Sequence, residues 1–167
     1  MSKKYLVIFS LICLFSFGCA KQQPTQKENL PDIKIVSSSY VPYSLLTNML
    51  DNISLSLLIT PGTEAHSFEP NAQNLIDLER ADIFFYTSNN TEPWAKNIKK
   101  GYALSNNLPI LIDGDPHTWL NFDNAIKMLD NIYEILGQKY PSKQEYFAQK
   151  YTETKTKIND IKTLFFQ

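Results

Sequence analysis

Cysteine is nearly missing from this 167-residue chain, which has two, Cys13 and Cys19, both within the first nineteen residues. No disulfide can therefore brace the remainder, and its stability must come from packing. Histidine is as scarce: His66 and His117 are the only two. Excess positive charge is missing as well, with 16 Lys and Arg against 17 Asp and Glu. Setting aside Lys3 and Lys4, in the basic start "MSKK", leaves a mildly acidic net charge of −3 on the rest. That balance argues against nucleic acid as a partner. Internal repeats and low-complexity tracts are also lacking. What is present, 43% hydrophobic and 20% charged residues, suits one globular domain with a real core.

The longest apolar run, "YLVIFSLICLFSFG", follows the basic start and ends at Cys19. It is shorter than the 18 or more residues that span a bilayer, so residues 1–19 read as an export signal rather than an anchor. Gly18-Cys19 resembles the lipobox of bacterial lipoproteins, although Ser16 and Phe17 depart from its usual leucine and small residue. That resemblance implies lipidation at Cys19 and an exported protein, periplasmic or on the cell surface, tethered to a membrane by acyl chains. Residues 20–32 then form a polar tether.

Beyond the tether, patterning predicts alternating strands and helices. "IKIVSSS", "ISLSLLI", "DIFFYT" and "LPILID" read as strands. "YVPYSLLTNML" reads as a helix, and "NAQNLIDLERA" as another with Leu75, Ile76 and Leu78 inward. Near-continuous apolar strands separated by helices indicate an α/β fold with a parallel four-stranded sheet flanked by helices. Asn121 or Asp123 can cap a helix whose stripe is Ala125, Ile126, Leu129, Ile132, Tyr133 and Leu136, ending near Gly137. A long final helix follows, with Tyr146, Phe147, Tyr151, Ile158, Ile161 and Phe165 as contact candidates; its "TLFF" leaves a bulky apolar cluster exposed.

Both histidines fall in loops after strands, where open α/β sheets bind ligands: His66 in "TPGTEAHSFEP" and His117 in "GDPHTWL". Neutral imidazole is a common metal ligand, and Glu64, Glu69 and Asp115 could orient the rings or ligate. Spacing alone leaves two readings equally open, ligation and simple loop hydrogen bonding or aromatic packing. Trp94 and Trp119 read as packing residues.

Taken in order, "TPGTEAHSFEP", "ADIFFYTSNNTEPWAKNI", "DPHTWLNFDNAIKMLDNIYEIL" and "YFAQKYTETKTKINDI" resemble the N-terminal half of the cluster A-I solute-binding proteins over roughly residues 32–165. These are the zinc- and manganese-binding components of metal ABC importers. The resemblance implies an α/β metal-binding lobe over residues 33–140 and, from residue 141 to 167, the start of a helix that joins two lobes. It makes His66 and His117 the ligands given by this lobe, with Zn2+ or Mn2+ as cargo, an ABC permease as partner and no enzymatic step. Ala65 stands where the family often has proline, and there is no histidine-rich loop between Trp94 and Asp115. The sequence has no counterpart of the C-terminal lobe, so half the expected ligands are missing and the preferred metal cannot be read from the donors. Two explanations stand: a piece of a longer receptor, or a single-lobe lipoprotein with an adhesion or other binding role.

Other classes fit less well. A zinc hydrolase with Glu69 as base needs a third protein ligand, and no HExxH helix is present. A receptor of the siderophore or cobalamin type would have no need of paired histidines.

Overall fold

The computed structural model describes residues 33–110 and 114–167. The export signal, Cys19 and the polar tether lie outside the described residues. Four strands, β1 (Lys34–Ser37), β2 (Ser54–Leu57), β3 (Ile83–Tyr86) and β4 (Gly101–Ala103), form one sheet in the order β2-β1-β3-β4. All three pairings are parallel. The helices are α1 (Tyr40–Met49), α2 (Ala72–Arg80), α3 (Phe122–Lys139) and α4 (Gln144–Phe165).

Period-two alternation in the central strands builds two cores. Ile35, Ile83 and Phe85 face one side, where Leu46 and Met49 of α1, Met128, Leu129, Ile132 and Leu136 of α3, and Phe147 of α4 cover them. Val36, Phe84 and Tyr86 face the other, under Leu78 of α2 and Ala95 of a short 3₁₀ turn, Pro93–Asn97. The strand β3, "IFFY", is buried at every position because both faces are covered, whereas edge strand β2, "SLSL", alternates exposed and half-buried.

Three expectations change. The fourth strand is Gly101–Ala103 rather than "LPILID", of which Leu108–Ile110 carry no strand and 111–113 lie outside the described residues. Proline cannot donate to a ladder; here the Pro109 carbonyl accepts instead from the Asn124 side chain at 3.0 Å. At Gly101 a Cβ would lie 3.0 Å from the Ile98 carbonyl oxygen and 3.2 Å from the Phe84 ring, so the tight entry into β4 favours glycine. In α2 only Leu78 is buried, and Leu75 and Ile76 are exposed, because that face of the sheet is covered by one helix with no further layer behind it. In α4 the contacts come from Phe147, with Tyr146, Tyr151 and Ile158 half-buried, while Ile161 and Phe165 are exposed. At about 1.5 Å per residue α4 is about 33 Å long, and its last turn still meets the start of α3, where Phe165 lies edge-on to Phe122 with centroids 5.7 Å apart while its outer side stays exposed.

Asn121 caps α3, its side chain accepting from the Asn124 N–H at 3.0 Å. Asp123 lies in the first turn and pairs instead with Lys162 of α4 at 2.6 Å. Asn121→Ala should cost about 1 kcal/mol, read as a lower urea midpoint with an unchanged slope. No helix among the described residues is long and apolar enough to cross a membrane.

Candidate metal centre

The chain leaves β1 toward β2 on one side and β3 toward β4 on the other, so the carboxyl ends of β1 and β3 form the switch point where such sheets bind ligands. A cleft of about 240 Å³ opens there. Its walls include Ser39 after β1, Thr87 after β3, and His66, His117 and Trp119 from the two loops. Among the described residues no lysine or arginine lines it.

Both histidines reach the cleft, though by different routes. His66 sits in the loop between β2 and α2, as the sequence predicts. His117 does not follow a strand directly; it precedes a 3₁₀ turn, Thr118–Leu120, that leads into α3. Each loop is turned by a glycine of positive φ, Gly62 at 89° and Gly114 at 76°, a conformation that a side chain would strain. Each histidine also has a carboxylate two residues earlier that accepts its backbone N–H. Glu64 Oε1 takes that of His66 at 3.1 Å, and Asp115 Oδ1 takes that of His117 at 2.9 Å.

The surroundings of the two rings differ. Asp115 Oδ1 lies 2.6 Å from His117 Nδ1, and the Trp119 ring meets the imidazole edge-on with centroids 5.0 Å apart. A carboxylate on Nδ1 selects the tautomer that leaves Nε2 as the free donor, the usual support of a metal-binding histidine. The His117 backbone N–H, and then its ring, hold the Asp115 carboxyl below its ordinary value. His66 is exposed and its ring contact is His117 itself, at 6.1 Å between centroids and 83° between planes. A tetrahedral zinc ion about 2.0–2.1 Å from each donor nitrogen would set the centroids about 5 Å apart, so closing by about 1 Å would let both rings share one ion.

Of the carboxylates singled out in the sequence, Glu64 and Asp115 are brought to the histidines, while Glu69 is exposed and outside the cleft lining. Among the described residues no three His, Cys, Asp or Glu side chains gather closely enough to hold a metal. Trp94 packs as expected, between Phe84 and Phe68 with centroids 5.7 Å from each, which pins the His66 loop to the core. Trp119 packs on the core and also touches His117, a role its position two residues on could have signalled. Asn124 escaped the sequence reading. Its amide donates to the Pro109 and Thr118 carbonyls, both at 3.0 Å, and staples the His117 loop to α3.

The family model for the zinc-uptake complex component A, periplasmic (ZnuA), matches residues 35–165. The chain belongs to this family. The zinc-binding lipoprotein AdcA of Streptococcus pneumoniae is 29% identical over 176 residues, covering 89% of this chain and 34% of that protein. The metal ABC transporter substrate-binding lipoprotein ScbA of Streptococcus cristatus is 25% identical over 168 residues, covering 87% of this chain and 54% of that one. The Zn(II)-bound ZnuA-like domain of the S. pneumoniae AdcA superposes with a TM-score of 0.72 at 29% identity, covering 78% of this chain and 53% of that domain. The chain thus spans about a third of the length of AdcA and about half that of ScbA. The matched fold is the same α/β arrangement with its parallel sheet and long final helix.

Proposed function

We propose that this chain is the N-terminal, metal-capturing lobe of an extracytoplasmic solute-binding component of an ABC importer for zinc. His66 and His117 are its ligands, and it works without a catalytic step. The observation that carries this reading is the convergence of the two histidines from separate loops on one cleft, with Asp115 on His117 Nδ1. In capture, the two imidazoles displace water from the hydrated cation; bound as neutral ligands, they make affinity fall with acidification. The zinc-binding names of the relatives favour zinc, while manganese is the second cargo that the donors would admit. Residues 33–140 act as the lobe and α4 begins the connection toward a second lobe, whose ligands would complete the coordination sphere. Lipid attachment at Cys19 would hold the protein at the outer face of the membrane beside its permease.

A zinc titration by competition with a chromophoric chelator tests the reading. The expected result is one-to-one binding that the double variant His66→Ala, His117→Ala abolishes. Zinc held equally well by the double variant would refute these ligands.

A further inference from the structure

Behind the cleft lies a carboxylate that the metal reading does not use. Glu92 is fully buried and, among the described residues, forms no ion pair. Its Oε1 accepts from Ser38 Oγ at 2.7 Å and Thr87 Oγ1 at 3.0 Å, and its Oε2 accepts from the Ser88 N–H at 3.1 Å. Thr87 Oγ1 also lies 3.0 Å from Ser39 Oγ. A hydroxyl has one proton to give. Since that of Thr87 goes to Glu92, Ser39 must donate to Thr87, and Ser39 Oγ is left with lone pairs alone.

A second observation concerns Ser39 itself. It is the N-cap residue of α1, where serine usually accepts from the helix, yet its side chain makes no cap bond. It forgoes a contact that commonly stabilises a helix and sits at the cleft wall instead. The neighbouring Ser37 hydroxyl donates to the Ser39 carbonyl at 2.9 Å, which fixes the backbone there and leaves the side chain its contact with Thr87.

We infer that Ser39, its proton direction set by the Thr87–Glu92 relay, is a positioning residue that accepts a hydrogen bond from water on the divalent cation held by His66 and His117 before the ligands of a second lobe replace that water. The inference rests on the capture reading above. A hydrated cation polarises its water into a strong donor, and a hydroxyl oriented as a pure acceptor at the switch point is its complement. The relay keeps that orientation before any ion arrives, so no rotamer has to be chosen on binding.

The test uses the full chain in mild detergent, with zinc affinity from chelator competition and the visible d–d absorption of bound Co2+ as a second readout. Ser39→Ala should weaken zinc about 10-fold and change the cobalt band, with a small drop in thermal midpoint from loss of its bond to Thr87, whose hydroxyl still donates to Glu92. Ser39→Thr, which keeps the oxygen, should restore both. Thr87→Val frees the Ser39 proton to point into the cleft and should weaken zinc as Ser39→Ala does. Should Ser39→Ala fail to fold, Thr87→Val and Ser39→Thr still decide the matter. Folded Ser39→Ala or Thr87→Val with affinity within twofold of the parent and an unchanged cobalt band would overturn the inference. If the double histidine variant loses zinc in that same series, the capture reading survives and only the role of Ser39 falls.

Discussion

Replacing Glu92 by alanine should lower the unfolding free energy by about 2–4 kcal/mol, although Glu92 touches neither histidine. The size follows from what is left behind. Ser38 Oγ, Thr87 Oγ1 and the Ser88 N–H all donate to this one carboxylate, and Ser38, Thr87 and Ser88 are each buried. An orphaned buried donor costs about 1–3 kcal/mol, and the hydroxyls recover part of that by rotating toward carbonyls. Removing a buried charge offsets the loss further, since burial of an unpaired carboxylate is itself unfavourable. A deficit of about 2–4 kcal/mol remains, which in a chain of this size lowers the thermal midpoint by about 5–15 °C. Glu92→Gln distinguishes shape from charge. It fills the same space, but its amide nitrogen brings a donor to a site that presents only donors, so it should lose a similar amount. Thermal melts of both variants check this, and a parental midpoint in Glu92→Ala would mean that the network does not stabilise the fold.

The same carboxylate marks how far the sequence could be read. Strands β1 and β3 are legible because burial on both faces favours apolar runs, unbroken in "IFFY" and broken in "IKIV" by the exposed Lys34. Strand β4 is not legible: it is three residues, Gly-Tyr-Ala, that pair with β3 at a register no periodicity announces. "LPILI" looks more like a strand and is apolar, yet Pro109 takes it off the ladder and Asn124 collects its carbonyl. Helical stripes mislead where a helix has only one neighbour, as Leu75 and Ile76 show. For the site, the two histidines are visible in the motifs "TPGTEAHSFEP" and "GDPHTWL" because loop chemistry is local, although only His66 sits in a loop that directly follows a strand. The Ser39–Thr87–Glu92 chain joins residues up to 53 positions apart through small hydroxyls, which have no period and no charge pattern. Only the crossing of β1 beside β3 brings them together.

That locality also sets what each histidine variant should do to zinc. His117→Ala removes the ring that Asp115 and Trp119 hold in place; His66→Ala removes a ring that, among the described residues, is supported at its backbone and by His117. If the two imidazoles are the protein donors, as proposed, losing either leaves a single ligand, and one-to-one binding should become undetectable in both. Asp115→Asn should behave differently. The asparagine oxygen can still accept the His117 backbone N–H, so the loop keeps its turn, but the ring loses the negative partner that makes Nε2 a stronger donor. A loss of about 10- to 100-fold in zinc affinity is expected, with the fold intact because the Asp115 side chain is only half-buried and outside both cores. The sequence of effects is therefore graded: abolished for either histidine, weakened for Asp115→Asn, unchanged for Glu69→Gln, whose side chain lies outside the cleft. Chelator competition on the four variants reads all of it. Equal losses for Asp115→Asn and Glu69→Gln would show that the carboxylate on Nδ1 does not tune the ligand, and that the histidines bind as two independent rings on flexible loops.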